Sequence, residues 1–482
     1  MTALKVEKGS LASATVLGAV ATGVTAVSAL VRAKASAVVL GVAGVGLVAE
    51  IQQLIALLSV PTTALTGAAL TRRLVDARAR GGAEVYRESA RQSAMTTVVF
   101  TALAAVAVVL LAPWLLSVPA AQVSAPAALA GSAAVATAML GVYTQSLVVH
   151  GDFKRGYFAT SLNAILAASF AVAGVVLWGL PGLFAGLLVA ALLVGGVAMR
   201  LARASISPGR WSPAASVDVS FARSAVRFGG ASLASGLVLQ LALSAIRYGL
   251  LRRGGHELNG LFQAAWSMDS LLVGTLTTGL SAYFFPRFAA AENAAALQGE
   301  VDAAARFLLG FGAPVLLAFA ALRGVVLPVI YSSDFHPASG LLGLLVVGDV
   351  FRLLGWVAAG PLLYRNEVRA FVIADVSAAV ILGSVSLALI EPLGLLGVGV
   401  AQVVAYAAYL PLARRLLRST TQAVLGVGVV LKGLALAGAV LVVVVVADAH
   451  PLGWVVGALA AAGVFLGGAG GRALVDRYRR LQ

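Results

Sequence analysis

The sequence predicts an all-α polytopic membrane protein: about fourteen transmembrane helices, arranged as two parallel-repeat six-helix lobes plus two C-terminal helices. Three observations predict it. The chain is 60% hydrophobic and only 11% charged over 482 residues, whereas a soluble protein has roughly 25% charged residues. Its apolar runs recur at bilayer-spanning length. Part of the first half also aligns on the second without a gap.

A span needs about 20 mostly apolar residues. In order, the runs read 10–31, 42–71, 92–113, 127–148, 157–178, 181–200, 228–250, 259–286, 307–330, 338–364, 368–390, 394–413, 421–446 and 452–471. The first follows the short polar start MTALKVEKGS with no convincing Ala-x-Ala cleavage site. It is expected to be a retained helix rather than a signal peptide. Net charge is +15. With the N-terminus inside, most Lys and Arg fall in cytoplasmic segments, as the positive-inside rule requires. The outer loops are left with Arg32, Lys34, Arg252 and Arg253. An even helix count with both termini cytoplasmic fits that asymmetry.

The repeat sets the expected division. Under a shift of 214 residues, GLVAEIQQLIALLSVPTTALTGAALTRRLVDA from Gly46 lies on GLFQAAWSMDSLLVGTLTTGLSAYFFPRFAAA from Gly260. Helix two then maps on helix eight, six helices later, so the copies share an orientation. The expected parts are an N-lobe over 1–203, a cytoplasmic linker over 204–220, a C-lobe over 221–418, and two helices with a tail over 419–482. The linker carries SISPGRWSPAASVDVS, rich in Pro, Gly and Ser.

Ionisable and amide groups inside spans mark function by default. The first lobe has Glu50, Gln52, Gln53, Gln145 and Asn163; the second has Gln240, Arg247, Gln263, Asp269, Arg323, Asp349, Arg352, Asp375 and Gln402. Asp349, Arg352 and Trp356 share one helical face by their spacing. Each has a structural alternative. Asp349 and Arg352 also suit a self-neutralising pair that locks two helices. Glu50, Gln52 and Gln53 also suit the membrane interface. Arg247 and Arg323 also suit snorkelling at helix ends.

Several classes drop out. The chain has no cysteine, so it has no thiol or disulfide chemistry. His150, His256, His336 and His450 have no metal-ligand spacing, and neither a nucleophile elbow nor a phosphate loop occurs. No metal, cofactor or nucleic-acid partner is expected.

Three segments resemble the O-antigen flippase (Wzx) family, which shares a superfamily with lipid II flippases and multidrug and toxin extrusion antiporters. They are LGVAGVGLVAEIQQLIALLS, NGLFQAAWSMDSLLVGTLTTGLSAYFFPRFA and YSSDFHPASGLLGLLVVGDVFRLLGWVAAGPLLYRNEVRAFVIADV. The likeness is greatest to the branch that carries the lipid-linked common-antigen oligosaccharide. In this family Gly-Asp is followed three residues later by a base, and an acid lies in the next helix; Asp349, Arg352 and Asp375 fit those places, and Arg247 fits a base late in helix seven. Gln52 stands where that branch has a base. The resemblance implies alternating access by two lobes around a partly cationic cavity. It implies an undecaprenyl-diphosphate-linked glycan as substrate, with membrane lipid, H+ or Na+ and a glycan polymerase as partners. Arg247, Arg352, Glu50, Gln52, Gln53 and Trp356 are then the cavity candidates, and Asp349, Asp269 and Asp375 the ion-coupling candidates. A multidrug antiporter, a lipid II flippase and a membrane-bound glycan polymerase or glycosyltransferase are the competing readings.

Overall fold

The structure, a computed structural model, describes residues 8–116, 118–206, 217–365 and 367–449, then 454, 455, 457, 459 and 461–463. Among these residues twelve α-helices follow one another: α1 (Lys8–Leu58), α2 (Val60–Thr66), α3 (Ala68–Leu115), α4 (Ala120–His150), α5 (Phe153–Ile206), α6 (Val219–Ala290), α7 (Ala294–Phe307), α8 (Ala313–Ile330), α9 (Ala338–Tyr364), α10 (Val368–Leu393), α11 (Leu395–Thr421) and α12 (Val427–Ala449). Without water in the bilayer core, backbone groups must bond within the chain, and helices do this segment by segment.

Ten segments among the described residues are long and apolar enough to cross a membrane. Three of them are pairs of helices joined at a single break: Gly41 in α1, Gly179 in α5, and Gly254–Gly255 in α6. Thirteen spans result. Most of the expected fourteenth, 452–471, lies outside the described residues, as does most of the expected linker.

The breaks follow the repeat. Gly41 has φ 67 and ψ −173, and Gly255, 214 residues on, has φ 68 and ψ −162. Gly179 (φ 60, ψ −136) has its counterpart in Gly394 (φ 60, ψ −132), between α10 and α11. This region of backbone space is essentially reserved for glycine. Each such residue reverses the chain with almost no loop.

Two sequence readings are corrected. Arg32 and Lys34 are not in an outer loop, because α1 stays helical until Gly41; likewise Arg252 and Arg253 lie in α6, just before its break. The charged stretch 72–91 is helical too, as the first part of α3. In both cases charge ended the apolar run but not the backbone pattern. A helix tolerates Arg and Lys wherever their heads reach a polar region.

The described chain separates into two compact units, Met1–Leu237 and Val238–Gln482. In the first, α4 packs on α3 and α5, and α1 packs on α5. Its core has one cluster around Ile51, Val108, Val123 and Phe184 and another around Leu74, Tyr86, Val142 and Leu147. In the second, α11 packs on α9 and α10, and α12 on α8 and α9. Helix α9 is its axis, with most residues from Ala338 to Leu362 buried. Two glycines let α11 approach it. A Cβ at Gly348 would stand 2.8 Å from Gln402 Cγ, and one at Gly355 2.3 Å from the Tyr409 ring.

Candidate functional site

The close approach of α9 and α11 builds a charged cluster inside the second unit. Asp349 and Arg352 stand one turn apart on α9, Asp269 comes from the second half of α6, and Gln402 and Tyr406 come from α11. Arg352 Nη1 donates to Asp269 Oδ2 at 3.3 Å and lies 3.7 Å from Asp349 Oδ1. Gln402 Nε2 lies 3.3 Å from Asp269 Oδ1, 3.3 Å from Asp349 Oδ1 and 3.2 Å from the Leu345 carbonyl. The Arg352 guanidinium sits over the Tyr406 ring, 5.2 Å from its centroid.

Charge counting decides what this cluster can do. Asp269, Asp349 and Gln402 are fully buried, whereas a quarter of the Arg352 side chain is exposed. Two carboxylates face one guanidinium, so full ionisation leaves one buried negative charge without a counter-ion. Such a charge costs several kcal/mol, by order of magnitude. Gln402 has two N–H groups for three acceptors. Asp349 Oδ2 and Gln402 Oε1 are both shielded and have no partner. One proton on the carboxylate pair would remove the unbalanced charge and add one donor. Arg352 meanwhile engages only Nη1; its Nε and Nη2 edge makes no hydrogen bond among the described residues. That edge is the bidentate face of a guanidinium.

The other candidates lie elsewhere. Asp375, on α10, is half-buried; it is within electrostatic reach of Arg352 but forms no ion pair among the described residues. Arg247 is buried in α6 against Phe262, donates to Gln263, and has its own carbonyl bonded by Asn259 at 3.0 Å. Trp356 packs on Phe285, ring centroids 4.8 Å apart. Arg323 does not snorkel: it is buried, bonding the Ala320, Ser339 and Val444 carbonyls and Asp448 on α12. Glu50 and Gln53 are buried within the first unit.

Gln52 instead faces a cavity of about 510 Å³ inside the first unit. Arg32 and Asn163 line it too, with the hydroxyls of Thr25, Thr62, Thr101 and Thr160. The charge pattern of the sequence puts Arg32 in a loop and so hides its place in this cavity. Tyr406 is hidden too, since nothing in a single sequence marks one tyrosine in an apolar helix. The unbroken run from Lys8 to Gly41, without proline, was the signal available for Arg32.

Comparison with known proteins places this architecture. No curated protein matches the chain. Among solved structures it is similar to the lipid II flippase MurJ in an inward closed conformation, at 12% identity over 95% of this chain and 100% of that one, with a TM-score of 0.71. It is also similar to an inward-facing multidrug resistance MATE family transporter of the MOP superfamily (18% identity, 82% and 96% covered, TM-score 0.66). A third likeness is to a MOP superfamily transporter from Pyrococcus furiosus (16%, 85% and 96%, TM-score 0.56). The fold is therefore that of MOP-superfamily transporters, in an integral membrane protein. The family described as polysaccharide biosynthesis protein matches residues 83–340, more than half of the sequence, and the chain belongs to that family.

Proposed function

We propose that this protein is a flippase for an undecaprenyl-diphosphate-linked oligosaccharide, an O-antigen-type or related surface-glycan repeat unit. It carries the glycan from the cytoplasmic to the periplasmic leaflet of a bacterial inner membrane by alternating access, with both termini cytoplasmic. The observation that carries this reading is the open Nε/Nη2 edge of Arg352, held between two buried carboxylates in a transporter fold of a polysaccharide biosynthesis family. A diphosphate cannot cross hydrocarbon unaided, and a guanidinium edge grips phosphate oxygens in a bidentate way.

The cycle follows from the charge count. Without substrate, Asp269 and Asp349 share Arg352 and one proton. An arriving diphosphate takes the open edge and draws the guanidinium from Asp349. The freed carboxylate then gains or releases its proton according to the side it faces. Asp375, near but not touching, is the next proton or Na+ carrier.

The test is reconstitution with fluorescent lipid-linked glycans and a leaflet-accessibility assay. Arg352→Ala is expected to lower flipping at least tenfold while the protein still inserts. Asp349→Asn is expected to keep substrate binding and lose dependence on the gradient. Normal flipping by Arg352→Ala would show the cluster to be structural glue. The match to a polysaccharide biosynthesis family favours a glycan substrate over a drug. Lipid II and a cationic drug in the same vesicles separate these alternatives.

A further inference from the structure

The cavity inside the first unit has an uneven set of polar groups. Thr25 donates its hydroxyl proton to the Ala21 carbonyl (2.8 Å), Thr62 to Ser59 (2.7 Å), Thr101 to Thr97 (2.7 Å) and Thr160 to Gly156 (3.1 Å). These hydroxyls have used their protons on the backbone, so they offer the cavity lone pairs. Asn163 lines the cavity as well and brings a side-chain amide to it. Gln52 and Arg32 make no hydrogen bond or ion pair among the described residues. The cavity therefore offers several hydroxyl acceptors, the two amides of Gln52 and Asn163 and, among the described residues, one cation, Arg32.

We infer that this cavity binds one acidic sugar residue of the glycan, with Arg32 pairing its carboxylate and the Thr, Asn163 and Gln52 side chains meeting its hydroxyls. This rests on the flippase reading above and names the substrate class. A bare phosphate or diphosphate is a poor match: it is almost entirely an acceptor at neutral pH, and these walls are mostly acceptors too. It also carries more charge than one guanidinium balances. A sugar brings the missing donors, since each ring hydroxyl can donate to a threonine oxygen. A carboxylate supplies one negative charge to one cation. The volume, about 510 Å³, lies within the usual range for small-molecule sites. The alanines lining it, among them Ala133, Ala134 and Ala167, leave the room a larger side chain would fill. Phe184 gives an apolar wall for a ring face.

The experiment uses the full chain in nanodiscs, with saturation-transfer NMR and calorimetry. The probes are glucuronate, glucose and inorganic phosphate. Glucuronate is expected to bind at least tenfold more tightly than either of the others. Arg32→Gln should remove that advantage and leave glucose binding unchanged, and Arg32→Lys should restore part of it. Asn163→Leu, which leaves the charge alone, should weaken glucose and glucuronate together. Equal binding of glucuronate by wild type and Arg32→Gln overturns the inference. So does phosphate binding as tightly as glucuronate, or no glucuronate binding to wild type. A wild type that flips lipid-linked glycan yet ignores glucuronate sinks this inference alone. One that binds glucuronate but flips no glycan sinks the flippase reading alone.

Discussion

If Asp269 and Asp349 share one proton, replacing either carboxylate is mild and replacing both is not. Asp349→Asn mimics the protonated acid in size and removes the negative charge that Arg352 cannot balance. Arg352 keeps its 3.3 Å partner in Asp269, so stability should change by less than about 1 kcal/mol. Asp269→Asn leaves at best a neutral amide oxygen in that place, and a hydrogen bond between charged groups is worth about 1.5–3 kcal/mol. Asp349, already 3.7 Å from Arg352, can ionise and recover part of it, leaving a net loss of about 1–2 kcal/mol. The double variant strands a largely buried guanidinium with no anion, at about 3–5 kcal/mol. For a unit of this size that is a fall in Tm of roughly 6–20 °C. Thermal unfolding in detergent at neutral pH, run on both single variants and the double, reads the non-additivity directly. If Asp349→Asn alone lowers Tm as far as the double variant, both carboxylates are ionised and the shared-proton argument is wrong.

Three further outcomes are expected. Gly348→Ala puts a methyl group 2.8 Å from Gln402 Cγ and 3.3 Å from its backbone carbon; overpacking of this kind costs about 1–3 kcal/mol, and an unchanged Tm would mean that α9 and α11 can part freely. Arg323→Met removes four buried contacts, including a 2.7 Å bond to the Val444 carbonyl and a 2.6 Å pair with Asp448. It should lower Tm clearly, while Asp448→Asn, at a half-exposed carboxylate, should cost no more than about 1 kcal/mol; equal falls in Tm for the two would refute this. Burial pushes the Asp218 carboxyl up, but bonds from Ser220, the Phe221 N–H and Arg73 outweigh it and hold the group below its usual value. Its stabilisation is therefore present above the unfolded pKa of about 3.9 and is lost as pH falls through the folded one. Asp218→Asn should flatten the acid limb of Tm against pH, and an unaltered limb would show that the bonds contribute nothing.

The spans were legible because bilayer thickness imposes their length on the sequence. Asp349 and Arg352 were legible as partners because helix geometry fixes neighbours three residues apart. The rest of the cluster was not. Gln402 is recognisable as an amide in an apolar helix, but its reach to both carboxylates depends on α11 sliding against Gly348 of α9. That is a tertiary contact with no local pattern. Asp269 looked like one more intramembrane acid, and only the packed helices show it to be the nearest anion to Arg352. Arg32 was misplaced for the opposite reason. Charge beside Lys34 suggested a loop, whereas the true end of the helix is set by backbone torsion at Gly41.

That torsion has a consequence of its own. At Gly41 and Gly255 no heavy atom lies within 4 Å of where a Cβ would stand. Space would admit many side chains there, yet the backbone refuses them at about 1–3 kcal/mol for any L-residue. Reflected through a mirror, the same angles fall in the ordinary extended region. A D-alanine would therefore rest at either corner without strain, while L-alanine, of identical volume, would not. What the backbone demands at these two positions is handedness rather than size.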